Sequence, residues 1–142
     1  MRLTRYTDYS LRVLMYLGIQ GHDLATISAI SDSYGISRNH IMKVVFELGR
    51  LGYIETIRGK GGGIRLRRRP EEINIGEVVR RTEADLSIVE CLGPNNTCRI
   101  TSACILKGAL NDALKAFLEV LDGYTLADLL KPERELQRLL AP

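Results

Sequence analysis

The segment that most restricts the fold is Gly59-Lys60-Gly61-Gly62-Gly63, which separates two alternating, β-rich runs, Tyr53-Ile54-Glu55-Thr56-Ile57-Arg58 and Ile64-Arg65-Leu66-Arg67. Two short strands joined by a glycine-rich turn read as a β-hairpin, here with a flexible basic tip. What precedes it is helical. Over residues 3–19, Leu3, Tyr6, Leu11, Leu14, Met15 and Leu17 lie mostly on one face, and Gly18 and Gly21 mark the end. Thr26 or Ser28 caps a short second helix carrying Ile27, Ala29, Ile30 and Tyr34, after which Gly35 forces a turn. Ser37 is a good N-cap for a third helix from Arg38 to Leu51, with Ile41, Val44, Val45, Leu48 and Leu51 as its buried stripe and Gly52 as its stop. Helix, short helix, tight turn, helix and hairpin form the order of a winged helix-turn-helix. Its third helix enters the DNA major groove, and its hairpin reaches toward the minor groove or backbone.

Pro70 closes that module. The pattern then predicts a short helix over 75–83, a loop over 84–101, and a long helix from Ser102 to Leu121. Along the long helix, Leu106, Leu110, Leu114, Phe117 and Leu121 form an apolar seam. That seam is read as a dimer interface, with packing on the first helix of the same chain as the alternative. Tyr124 to Leu130 makes one more helical turn, and the charged tail after Pro132 is expected to be loose. The expected fold is therefore mainly α with a small β-hairpin. It divides into a winged helix-turn-helix at 1–70, a short helix and cysteine loop at 71–101, and a dimerisation helix with C-terminal segment at 102–142.

With 142 residues the chain makes one domain, or one domain with an appended element. No apolar run reaches the ~18 residues a membrane span needs. Leu11 to Ile19 is interrupted by Arg12 and lacks a small-residue cleavage site, which argues against a signal peptide and for the cytoplasm. Charge is divided unevenly: residues 1–69 hold 12 Lys+Arg against 5 Asp+Glu, and residues 70–142 hold 8 against 12. A basic N-terminal half points to a polyanion, most simply nucleic acid. On the third helix, Ser37, Arg38, Asn39, His40 and Lys43 stand at or near the end that meets DNA. Arg suits guanine O6/N7, Asn suits adenine N6/N7, and Lys43 suits phosphate. Arg58, Lys60 and Arg65 on the hairpin suit phosphate or minor-groove contact. The glycine run lacks the Gly-Lys-Ser/Thr ending of a phosphate loop. No nucleophile–base pair or nicotinamide fingerprint is present, so the sequence does not read as an enzyme.

Cys91, Cys98 and Cys104 are the chain's 3 cysteines, spaced Cys-x6-Cys-x5-Cys. In a reducing compartment, thiols gathered in one loop indicate metal or cluster ligation before disulfide pairing. The tight Cys-x2-Cys knuckle of most structural zinc sites is absent, and a wide loop suits an iron–sulfur cluster better. Zinc and a redox disulfide pair remain alternatives. Cys104 is expected in the first turn of the long helix, where the helix dipole favours a thiolate. The fourth ligand comes from elsewhere. Glu90, His22, His40 and Asp8 are candidates that spacing alone does not separate.

These features together resemble a family of bacterial iron–sulfur transcription regulators, over nearly the whole chain. The resemblance rests on Met1-Arg2-Leu3-Thr4, Thr7-Asp8-Tyr9, Tyr34-Gly35-Ile36-Ser37-Arg38-Asn39-His40, Arg58 to Leu66, the three-cysteine loop, and Tyr124-Thr125-Leu126-Ala127-Asp128-Leu129. The Thr7-Asp8-Tyr9 and Ser37-Arg38-Asn39-His40 runs are the most specific and are most similar to the family's nitric-oxide-sensing repressors. The resemblance implies a homodimer with one cluster per subunit, [4Fe–4S] first and [2Fe–2S] second. The cluster-bound form would hold operator DNA, and nitric oxide would release repression of detoxification genes. It also implies Asp8 as the non-cysteine ligand, supplied across the dimer. A cluster-assembly branch of the family places a histidine where this chain has Lys107 and a base-reading glutamate where it has Met42, so that branch fits less well. A regulator of iron or redox status on the same fold is the alternative. A small electron carrier would have no use for the wing and recognition helix.

Overall fold

The computed structural model describes residues 1–141, in which Thr4 starts helix α1, Arg5–Gln20. Thr4 is extended, and its hydroxyl accepts the Thr7 amide at 3.3 Å, satisfying one of the helix's unpaired donors. Thr26 does the same for α2 (Ile27–Tyr34), accepting from Ala29 at 3.0 Å, and Gly35 ends that helix in the left-handed region at φ 65°. Ser37 caps α3 (Arg38–Arg50). The apolar stripes of these three helices converge. Val13, Leu14 and Leu17 of α1, Ile30 of α2, and Ile41, Val44 and Leu48 of α3 are all buried in one core.

Strands β1 (Ile54–Ile57) and β2 (Gly63–Leu66) pair antiparallel, with Ile54 opposite Leu66 and Ile57 opposite Gly63. Ala25 adds a bridge that the sequence reading did not include. Its amide donates to the Ile64 carbonyl at 2.9 Å, and the Ile64 amide donates back at 2.8 Å. This bridge ties the wing to the segment before α2. The wing tip, expected to be flexible, is a closed turn in which the Gly62 amide donates to the Gly59 carbonyl at 3.0 Å. Gly59 and Gly61 take φ of 96° and 75°. A side chain at Gly62 would collide with the Ile57 carbonyl. The glycines there serve stereochemistry rather than looseness.

Beyond Pro70 the chain returns to the same core through Ile73, Ile75 and Val78, the last two on α4 (Ile75–Thr82), which Asn74 caps. Helix α5 (Ile105–Asp122) starts later than expected, after a 3₁₀ turn at Thr101–Ala103. Cys104 therefore lies at the cap position in extended conformation (φ −85°, ψ 108°), just outside the first turn. A capping box between Thr125 and Asp128 opens the short α6 (Leu126–Leu129), whose Leu126 is fully buried.

The tail departs from expectation. It forms α7 (Glu133–Leu140), with Leu140 packed on the core and Leu136 half-buried. Gln137 donates to Glu133 at 3.1 Å, and Arg138 pairs with Glu135. Leu136 and Leu140 are one helical turn apart, a spacing that the high charge of the tail obscured. Among the described residues, no helix is long and apolar enough to cross a membrane.

Candidate DNA interface and metal-ligand loop

With Ile41, Val44 and Leu48 turned into the core, the helical repeat of about 100° per residue turns Asn39, Met42, Lys43 and Phe46 outward. Arg38, Asn39, His40, Met42, Lys43 and Phe46 are all exposed. Ser37 has a structural role: its hydroxyl accepts the His40 amide at 3.3 Å and lies 2.9 Å from His40 Nδ1. The His40 ring also rests against Tyr9 at a centroid distance of 5.8 Å. His40 is thus held in place at the head of α3.

On the wing, Arg58 and Lys60 are exposed. Arg65 is engaged with Glu55, its direct partner across the hairpin, at 2.6 Å. It holds the two strands together, and its charge is compensated. Among the described residues, Arg38, Lys43, Arg58 and Lys60 have no acidic partner. Four unpaired cations on the helix and the wing of one module make a surface suited to a polyanion.

The three thiols occupy one exposed stretch between α4 and α5. Cys91 lies in a 3₁₀ turn at Glu90–Leu92 and is half-buried, Cys98 is exposed, and Cys104 is half-buried at the start of α5. All three are free. The stretch is braced by short polar bonds rather than by a core. The Glu90 carboxylate accepts from both the amide and the hydroxyl of Thr97 at 2.6 Å, and these bonds, the hydroxyl's first, hold its pKa below the usual range. Asn96 accepts the Cys98 amide at 3.0 Å and donates to Thr101 at 2.9 Å, while Thr101 donates to the Cys98 carbonyl at 2.7 Å.

Among the described residues, no three Cys, His, Asp or Glu side chains converge on one point within the single chain. The donor chemistry nevertheless suits an iron–sulfur cluster: three accessible, unpaired thiols share one segment that holds no buried residue. The four candidates for a further ligand fare differently. Glu90 is occupied by Thr97, His40 by Ser37 and Tyr9, and His22 sits exposed after α1. Asp8 is on α1, ion-paired with Arg12 one turn on, with contacts of 2.9 and 3.1 Å, and is about 44% exposed. Exposed pairs of this kind contribute well under about 1 kcal/mol and yield readily to a stronger ligand.

The seam of α5 divides. Leu121 packs on the chain's own core, and Leu114 and Phe117 line an open hollow with Leu3, Leu86 and Ile88. Leu110 is half-buried and Leu106 is exposed. The fully exposed apolar face is a neighbouring one, with Ile105, Leu106, Ala109, Ala113, Ala116 and Val120, roughly a quarter turn round the helix.

Helix, turn, helix and wing, with unpaired cations along the helix and wing, define a winged helix-turn-helix DNA-binding regulator. The chain belongs to the Rrf2 family, described as iron-dependent transcriptional regulators, which it matches over residues 3–132. It is 57% identical over 142 residues to the transcriptional regulator NsrR of Bacillus subtilis (strain 168), covering 99% of this chain and 97% of that one. It is 54% identical to NsrR of Geobacillus kaustophilus, with coverage of 99% and 97%. Among solved structures, IscR of T. potens superposes with a TM-score of 0.76 at 25% identity, covering 96% of this chain and 91% of that one. CymR, the global cysteine regulator of B. subtilis, superposes at 0.70 and 28% identity, covering 91% and 95%. The chain is a transcriptional regulator and not an enzyme.

Proposed function

We propose that this chain is a cytoplasmic, homodimeric repressor that senses nitric oxide through an iron–sulfur cluster. Cys91, Cys98 and Cys104 would hold the cluster together with the partner subunit's Asp8, and [4Fe–4S] is the form favoured. The observation that carries the reading is the presence, in a relative of NsrR, of three free thiols in a segment without a core beside a module with an unpaired cationic surface. The cluster would supply iron that reacts with nitric oxide.

The chain's own residues do the rest. Arg38 and Asn39 meet base edges, and Lys43, Arg58 and Lys60 meet phosphate. The exposed face of α5, from Ile105 to Val120, meets its copy in a second subunit. Because α5 also packs on α4, the state of the cysteine loop bears on how far apart two recognition helices are held. A 100-fold loss of operator affinity requires only about 2.8 kcal/mol.

The test uses protein prepared without oxygen. Brown protein that binds a selected operator and releases it on nitric oxide addition supports the reading. Colourless protein that binds equally well with and without nitric oxide overturns it. Release by oxidant or iron depletion but not by nitric oxide would assign the regulator to redox or iron status. Ligation by Asp8 is decided by a mixed dimer of an Asp8→Ala chain that keeps its cysteines with a chain that keeps Asp8 and has all three cysteines changed to Ala. One cluster of wild-type reactivity shows ligation across the dimer, and a cluster like that of the Asp8→Ala homodimer excludes it.

A further inference from the structure

The outward face of α3 is not purely polar. Phe46 is 70% exposed and Met42 is 52% exposed, one turn apart, on the side opposite Ile41, Val44 and Leu48. Single exposed apolar side chains need no explanation. These two, however, stand with Tyr6 around a shallow hollow rimmed by Lys43 and Glu47. They also share a face with Asn39. Glu47 pairs with Arg50 at 2.6 Å, so the charge left uncompensated beside the patch is that of Lys43, with Arg38 a little over one turn earlier. A positively charged border fits a polyanion better than a second protein surface.

A DNA major groove presents an apolar group at one kind of base edge, the C5 methyl of thymine. Phe46 lies eight residues past Arg38, about 12 Å along the helix axis, which matches roughly three to four base-pair steps. We propose, resting on the DNA-binding reading above, that Phe46 with Met42 contacts thymine methyl groups in the operator half-site. Phe46 is then a specificity-determining residue, set beyond the bases met by Arg38 and Asn39.

The test uses the full chain prepared without oxygen and an operator recovered by selection from random duplexes. Each thymine is replaced in turn by uracil, which removes one methyl and nothing else. At one or two positions per half-site the wild type loses about 4-fold in affinity per methyl. Phe46→Ala shows the same loss on the unmodified operator and no longer distinguishes thymine from uracil there, while Phe46→Leu keeps part of the distinction. A wild type that binds the selected operator with no response to any thymine-to-uracil change overturns the proposal and leaves the DNA-binding reading standing. A wild type without sequence-specific binding overturns that reading and this one with it. A Phe46→Ala chain that keeps the thymine preference but changes sedimentation assigns the patch to contact between proteins and also overturns the proposal.

Discussion

Leu14, Ile30, Ile41 and Leu48 are fully buried where the first three helices meet, whereas no residue from Glu83 to Thr125 is buried at all. The second region is not short of regular structure at its end, since α5 is the longest helix of the chain. The two regions differ in what holds them. The DNA-binding module closes on a buried core that Ile73, Ile75, Val78 and Leu126 help to fill. The cysteine segment is held by the Glu90–Thr97 and Asn96–Thr101 bonds, and α5 by the Arg80–Asp122 ion pair and the packing of Leu121 on the core. They leave Ile100, Ile105, Leu106 and Val120 more than 60% exposed. Apolar surface of this kind on a helix marks a face completed by something else. On the reading proposed here, a second subunit and a cluster complete it. The module that reads DNA is then permanently folded, and the part that senses is ordered by what it binds.

The comparison breaks most readily with core and α5 substitutions. Leu14→Ala or Leu48→Ala should cost about 2–5 kcal/mol in urea unfolding, whatever the protein concentration. Leu106→Ala or Ile105→Ala should cost under about 0.5 kcal/mol at high dilution, while weakening self-association in sedimentation. A Leu106→Ala chain destabilised as much as Leu14→Ala at high dilution would mean that α5 is buried by its own chain.

A smaller effect is expected at the wing. Gly62→Ala places a methyl against the Ile57 carbonyl, and overpacking of this sort costs about 1–3 kcal/mol. Operator affinity should fall at least about 10-fold while the helical circular dichroism is retained. Unchanged affinity would remove the wing tip from the DNA interface. Smaller again is the link between the two regions. Glu83 accepts from the Thr4 amide at 2.7 Å and from its hydroxyl at 3.0 Å, tying the head of α1 to the start of the unburied segment. Glu83→Ala should cost about 0.5–1.5 kcal/mol and speed hydrogen exchange in the first turn of α1. Protection unchanged from wild type would show that the link does not persist in solution.

The elements that the sequence disclosed are those with a local cause. Thr26, Gly35 and Ser37 punctuate the helix-turn-helix by capping and φ, and the alternation around Gly59–Gly63 marks the wing. What it concealed depends on neighbours far along the chain. The 4-4-3-4 spacing from Leu106 to Leu121 showed that α5 is amphipathic. Which of two adjacent faces stays open is decided by where α4 and the 83–88 segment lie. Arg65 reads in the sequence as a free cation, and only the hairpin register shows its pairing with Glu55. The bridge from Ala25 to Ile64 has no local signal. At the site, the exposure of Arg38, Asn39, Lys43 and Lys60 followed from helix phase and turn position. On the proposed reading, a fourth ligand would reach the cysteines only from a second chain, a geometry with no local signal in the sequence.

The smallest predicted effect concerns pH, and it separates the regions by sign. Tyr34, in the buried module, has its pKa pushed up to about 12 by burial, and its hydroxyl donates to the Arg12 carbonyl at 2.9 Å. Its proton is held more tightly in the folded chain than in the unfolded one. The stability it contributes is therefore complete below the usual tyrosine value near 10 and is lost as pH rises toward 12. Asp128, just past the unburied segment, is partly exposed and has its pKa lowered to about 2, first by Lys131 at 2.7 Å and then by the amide and hydroxyl of Thr125. Its contribution is present above the usual carboxylate range near 4 and is lost as pH falls through about 2. Tyr34→Phe should flatten only the alkaline limb of stability, and Asp128→Asn only the acid limb. The Asp128 effect should shrink in about 1 M salt because the pair is open to screening, while the Tyr34 effect, which arises from burial, should persist. Carbon-detected NMR titration of the Asp128 carboxyl provides the direct check: a midpoint near 4 would mean that the Thr125–Asp128 capping box, which fixes the chain's return to the core at Leu126, is not formed in solution.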